Sequence, residues 1–170
     1  MPIPAQVSAE RALARHERYQ GELDPAGFER LRDAVSQTVY ADLQIRRDVA
    51  GVGWVEGLIR AQLTLECRVC TASFVWPLDT RFALALARDE QEEARLMERA
   101  EPLLLMDDEL RLHEIVEDEL LLALPMMPKC ATCENARPPE PSAAAAEDTR
   151  RPFAALKELG LKDGSAVRRK

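Results

Sequence analysis

The chain of 170 residues contains no run approaching the ~20 consecutive apolar residues that a membrane-spanning helix requires, so no membrane partner is expected. Its first residues, MPIPAQVSAERALARHERYQ, lack an apolar stretch of signal-peptide length and carry charge early, which predicts a cytoplasmic protein. Glycine is sparse, with 7 in the chain, and none falls in the G-x-x-x-x-G-K or G-x-G-x-x-G patterns that cradle phosphates, so a nucleotide-driven enzyme is disfavoured. The 2 histidines, His16 and His113, fit no triad spacing with a nucleophile. Basic side chains are in deficit, 23 against 30 acidic ones for a net charge of -7. A protein that grips naked phosphate backbone normally concentrates Lys and Arg, so DNA is not an expected partner and any RNA contact must be local.

What the sequence does have is hydrophobic patterning for a single domain. The stretch DPAGFERLRDAVS offers Asp24 as a cap, Pro25 at the first helical position and Phe28, Leu31 and Val35 at helical spacing, predicting a short amphipathic helix. From Thr38 to Arg46 apolar and polar residues alternate, as they do from 54 to 66 and from Phe74 to Leu86, predicting three half-buried strands. Pro77 marks an edge or bulge in the third. The segment from 87 to 109 reads as a polar excursion with a weak helical turn. The next, ELRLHEIVEDELLLALP, predicts a long helix stopped by Pro125, with Leu112, Val116, Leu120 and Ala123 on one face and Glu119 turned toward it. The fold class expected is α+β: a small antiparallel sheet with packed helices over residues 1–134, a flexible Pro/Ala-rich linker over 135–149, and a C-terminal arm over 150–170.

The 4 cysteines fall in two C-x-x-C pairs, Cys67 with Cys70 at the tip of the strand hairpin and Cys130 with Cys133 after the long helix. Reduced cytosolic thiols at this spacing suit a tetrahedral metal, and thiolates select zinc or an iron–sulfur cluster over hard ions. Zinc, stapling the hairpin to the end of the helix, is the expected cofactor. A thioredoxin-like redox pair is weaker, because Cys67 and Cys70 lie between strands rather than at a helix N-terminus.

Four segments together resemble one family: RYQGELDPAGFERL, LECRVCTASF, IVEDELLLALPMMP and RPFAALKEL are similar, in order, to the YceD family of large ribosomal RNA subunit accumulation proteins. The resemblance implies a role in accumulation or processing of large-subunit (23S) ribosomal RNA with no established catalytic activity. It makes a precursor of that RNA, or a ribosomal protein, the expected partner. The alternatives are a metal-dependent nuclease of RNA processing and a cysteine-pair redox protein.

Other candidate residues divide on geometry. Glu114, Glu117, Asp118 and Glu119 would have to converge to hold the metal of a nuclease, and consecutive positions on a helix diverge instead. Glu119 is expected to be structural, a carboxylate on an apolar face that needs hydrogen bonds or a cation. Arg11, Arg15 and Arg18 share helical spacing in RALARHER. In the arm, Phe153, Leu156 and Leu159 form a stripe beside Arg150 and Arg151, predicting a docking element for a partner, since an 11-residue helix needs a surface to lean on.

Overall fold

Alternation of β-branched and other apolar residues with polar ones builds a five-stranded sheet. The computed structural model describes residues 3–135 apart from 32, 36, 37 and 106; the linker beyond Asn135 and the whole arm, with Arg150, Arg151, Phe153, Leu156 and Leu159, lie outside the described residues. Strands β1 (Gln6–Ser8), β2 (Arg18–Leu23), β3 (Val39–Arg47), β4 (Gly53–Glu66), β5 (Ser73–Ala87), β6 (Glu101–Leu104) and β7 (Glu109–Arg111) are joined with helices α1 (Ala9–Arg15), α2 (Glu90–Leu96), α3 (Leu112–Leu122) and α4 (Ala131–Glu134). The sheet order is β2-β3-β4-β5-β6, with β1 and β7 forming a separate antiparallel pair. Neighbours from β2 to β5 are antiparallel, and β6 adds in parallel at the end. The architecture is α+β.

The predicted strands are present with the predicted faces. Val39, Ala41, Leu43 and Ile45 of β3 and Val55, Ile59, Ala61 and Leu63 of β4 are buried, and they join Leu112, Val116 and Leu120 of α3 in one core. Pro77 sits on a stretch of β5 that pairs only with β4, because β6 begins its pairing at Leu84. A missing N–H is harmless there.

Gly57, in the middle of β4, is required by packing. A Cβ at this position would lie 2.3 Å from the Phe82 ring and 2.9 Å from Leu43 Cδ2. Gly57→Ala is therefore expected to lower stability by about 1–3 kcal/mol through overpacking. A denaturation midpoint equal to that of the parent would show that the ring can swing aside freely.

Three segments differ from expectation. Among the described residues of the segment beginning at Asp24, only Pro25–Gly27 is helical, a 3-10 turn that Asp24 caps by accepting the Ala26 N–H at 2.9 Å. Phe28 turns extended, and the N–H groups of residues 29 to 31 are captured by Glu117 of α3. A helix can continue only if those groups stay in the chain's own ladder. Arg18 lies on β2 rather than on the helix with Arg11 and Arg15, and bonds Asp42 across the strand pair. The segment 87–109 holds α2 and β6, and the ELR expected to start the long helix is β7 up to Arg111.

Candidate metal centre

The hairpin of β4 and β5 runs through 14 successive cross-strand pairs, Gly53↔Leu86 to Glu66↔Ser73, without a bulge, and this carries its tip away from the rest of the sheet. At the tip the Cys67 N–H donates to Ala72 O and the Thr71 N–H to Cys67 O, both at 2.9 Å. Thr71 takes a left-handed backbone, φ 60°. These bonds wind Cys67 and Cys70 into one tight turn, so that both sulfurs aim the same way.

The second pair arrives from the other side. The chain leaves α3, passes Pro125 and Pro128, and is pinned to the first pair where the Arg68 N–H donates to Pro128 O at 2.9 Å. Cys130 then opens α4, whose backbone bonds from Cys133 and Glu134 return to Cys130 O at 2.9 Å. All four Sγ atoms lie within 4.8 Å of one another, and Cys70 Sγ is 3.7 Å from Cys130 Sγ. None is in a disulfide. Cys67 is fully buried, Cys130 and Cys133 are half-buried and Cys70 is exposed.

A tetrahedral ion with metal–sulfur bonds of ~2.3 Å needs sulfurs about 3.8 Å apart. The cluster is within reach of that figure, and one pair already meets it. A multi-iron cluster inserts inorganic atoms between its cysteines and needs a wider cage. The arrangement is thus of a size to take one ion with four protein ligands.

The backbone N–H of Cys130, followed by those of Cys70 and Val69, stabilises the Cys67 thiolate and pulls its pKa down to about 6, against the effect of desolvation. Cys133 is pushed up to about 12, first because its thiol hydrogen-bonds to Cys70 and Cys130. Of these two thiols, Cys67 loses its proton first, where backbone donors converge. A divalent cation held by the four sulfurs would displace their protons and favour the thiolate form.

The acidic residues of α3 separate as the helix projection requires. Glu114 is beside Arg111 at 3.4 Å, and Asp118 is bound by Arg30. Glu117 is 3% exposed and accepts the N–H groups of Arg30 at 2.6 Å, Leu31 at 2.9 Å and Glu29 at 3.3 Å. Burial raises its pKa, but those three bonds and the charge of Arg30 outweigh it and hold the carboxyl below the usual glutamate value. Glu119 is 9% exposed, on the apolar side as projected. Burial first, then the charges of Glu101 and Asp118, lift its pKa. Among the described residues, the cysteines are the one group spaced to hold a metal. His113 Nε2 bonds Ile3 O at 3.1 Å, and His16 closes α1 in a left-handed conformation, φ 50°.

Sequence reasoning missed Glu117. Its partners are backbone N–H groups more than 80 residues away, which leave no side-chain signature. The one clue was its neighbour: two residues before Glu119, it also borders the apolar face.

A family model described as large ribosomal RNA subunit accumulation protein YceD matches residues 55–160, a span that takes in all four cysteines. No solved structure matches the chain.

Proposed function

Because the chain belongs to the YceD family, we propose that it is a non-enzymatic ribosome biogenesis factor that supports accumulation or processing of large-subunit (23S) ribosomal RNA by binding the RNA, a ribosomal protein or both. The observation that carries this reading is the cysteine centre. Four protein sulfurs within 4.8 Å of one another could fill all four positions of a tetrahedral ion and would leave none for water or substrate, the arrangement of a structural rather than a catalytic metal. The metal is zinc, held by Cys67, Cys70, Cys130 and Cys133. Bound there it neutralises the thiolates and staples the hairpin tip to the segment after α3, making a rigid platform. The diverging carboxylates of α3 favour the same reading over a nuclease.

Charge suggests how labour is divided. Residues 1–135 carry 25 acidic and 15 basic side chains, while residues 136–170 carry 5 acidic and 8 basic. RNA contact falls to the basic arm, where Arg150 and Arg151 neutralise phosphate locally beside the apolar stripe of Phe153, Leu156 and Leu159. The acidic body suits a basic protein.

The test is complementation of a depleted strain, with mature and precursor large-subunit RNA measured against small-subunit RNA. The intact chain restores the ratio. Purified protein given precursor RNA and Mg²⁺ leaves it uncut; metal-dependent cleavage would overturn the non-enzymatic reading. Deleting residues 150–170 is expected to leave the melting temperature unchanged and to weaken association with precursor large-subunit particles several-fold. A large loss of stability would show instead that the arm completes its own domain.

A further inference from the structure

Glu119 is the anomaly of α3. The residue is 9% exposed and its carboxylate oxygens still reach solvent, yet no hydrogen bond or ion pair to that carboxylate occurs among the described residues, whereas the Glu117 carboxylate, two positions earlier, has three backbone donors. It lines a cavity of about 300 Å³ between α3 and the edge strand β6, together with Glu101, Asp118, Leu103, Leu121 and Leu122. The one cation lining that cavity among the described residues, Arg30, is engaged by Asp118 and Glu117. Burial, then Glu101 and Asp118, raise the Glu119 pKa, as expected of a desolvated carboxylate beside like charges.

We propose that this cavity receives an arginine or lysine side chain of a basic protein segment, with Glu119 as its anionic floor. The aliphatic stem of such a side chain suits the leucine walls, and its head meets the Glu119 carboxylate, with Glu101 and Asp118 adding negative charge to the lining. Leu122 is 71% exposed at the rim, offering contact to an apolar neighbour of the inserted residue. The three carboxylates are not spaced as a metal site, since among the described residues only the cysteines are. An RNA phosphate would be repelled. The excess of acid over base in residues 1–135 steers a cationic chain to this body, and a basic protein is what a ribosomal partner would present. The inference rests on the ribosome-assembly reading and names the partner class.

The experiment uses the full zinc-loaded chain and a labelled amphipathic peptide of leucine and arginine, with a citrulline-for-arginine version as control, read by fluorescence anisotropy. The parent is expected to bind the arginine peptide at least tenfold more tightly than the citrulline one. Glu119→Gln should lose about tenfold in affinity while melting at a higher temperature, because a charge disfavoured by desolvation and by Glu101 and Asp118 has been removed. Glu22→Gln, which removes an exposed charge on β2, should keep the affinity. The proposal is overturned by any of four results: no binding to the parent, equal losses in the two variants, a lower melting temperature for Glu119→Gln, or binding that emerges only when residues 136–170 are deleted. The last would make the chain's own basic tail the occupant. All four are separable from failure of the ribosomal reading, which is decided by RNA accumulation in cells.

Discussion

Removing the proposed zinc from the four-cysteine centre is expected to lower the melting temperature by about 10–15 °C without dismantling the sheet. An unfolded chain still offers two C-x-x-C pairs, each of which binds zinc weakly. What it lacks is the closure that brings Cys70 and Cys130, 60 residues apart in sequence, to 3.7 Å. Closing a loop of that length costs about 4 kcal/mol of chain entropy, and the native state has already met this cost by folding. The native preference for the ion is therefore about 4 kcal/mol. At about 2–4 °C per kcal/mol for a chain of this size, the shift follows. The core of α3 against β3 and β4 does not touch the ion, so far-ultraviolet dichroism of the chelated protein should stay near that of the parent. Cys67→Ser should reproduce the loss, since it removes the fully buried ligand. Elemental analysis showing less than one zinc per chain in protein purified without chelator, or identical melting with and without a strong chelator, would remove the metal from the account.

The parts of this fold legible in sequence are those encoded by neighbours along the chain. Alternation alone located β3, β4 and β5, because the faces of a half-buried strand repeat every two residues whatever the partner. The two cysteine pairs carried their own spacing, and the geometry brings all four sulfurs together. What was not legible depends on distant partners. The strand β7 is three residues long and exists because β1, about 100 residues earlier, pairs with it. The strand β6 exists because it can join the end of β5 in parallel. Phe28, Leu31 and Val35 show helical spacing and are all buried, yet none of the three lies in a helix. A carboxylate from α3 competes for the backbone donors, and periodicity cannot register that competition.

That competition yields the second large expected effect. Glu117→Ala should cost about 3–5 kcal/mol, because it removes the buried acceptor that holds the turn after Phe28 against α3. The three N–H groups of Glu29, Arg30 and Leu31 lose a charged acceptor, and Arg30 loses one of its two anions. Glu117→Gln keeps one carbonyl oxygen for the donors and loses the charge, so its cost should be smaller. Glu114→Ala is the control. It is exposed on the same helix, and a change there should stay within about 0.5 kcal/mol. The sign of the pH dependence follows from the direction of the Glu117 shift. Its folded pKa lies below the ordinary value, so the stability it supplies is fully present above the unfolded glutamate pKa of about 4.3. That stability is lost as pH falls through the folded value. Denaturation midpoints of parent and Glu117→Gln should therefore differ most near neutrality and converge on acidification below that range. A constant difference down to strong acid would mean that the carboxylate's charge contributes nothing and that only the shape of the side chain holds the turn in place.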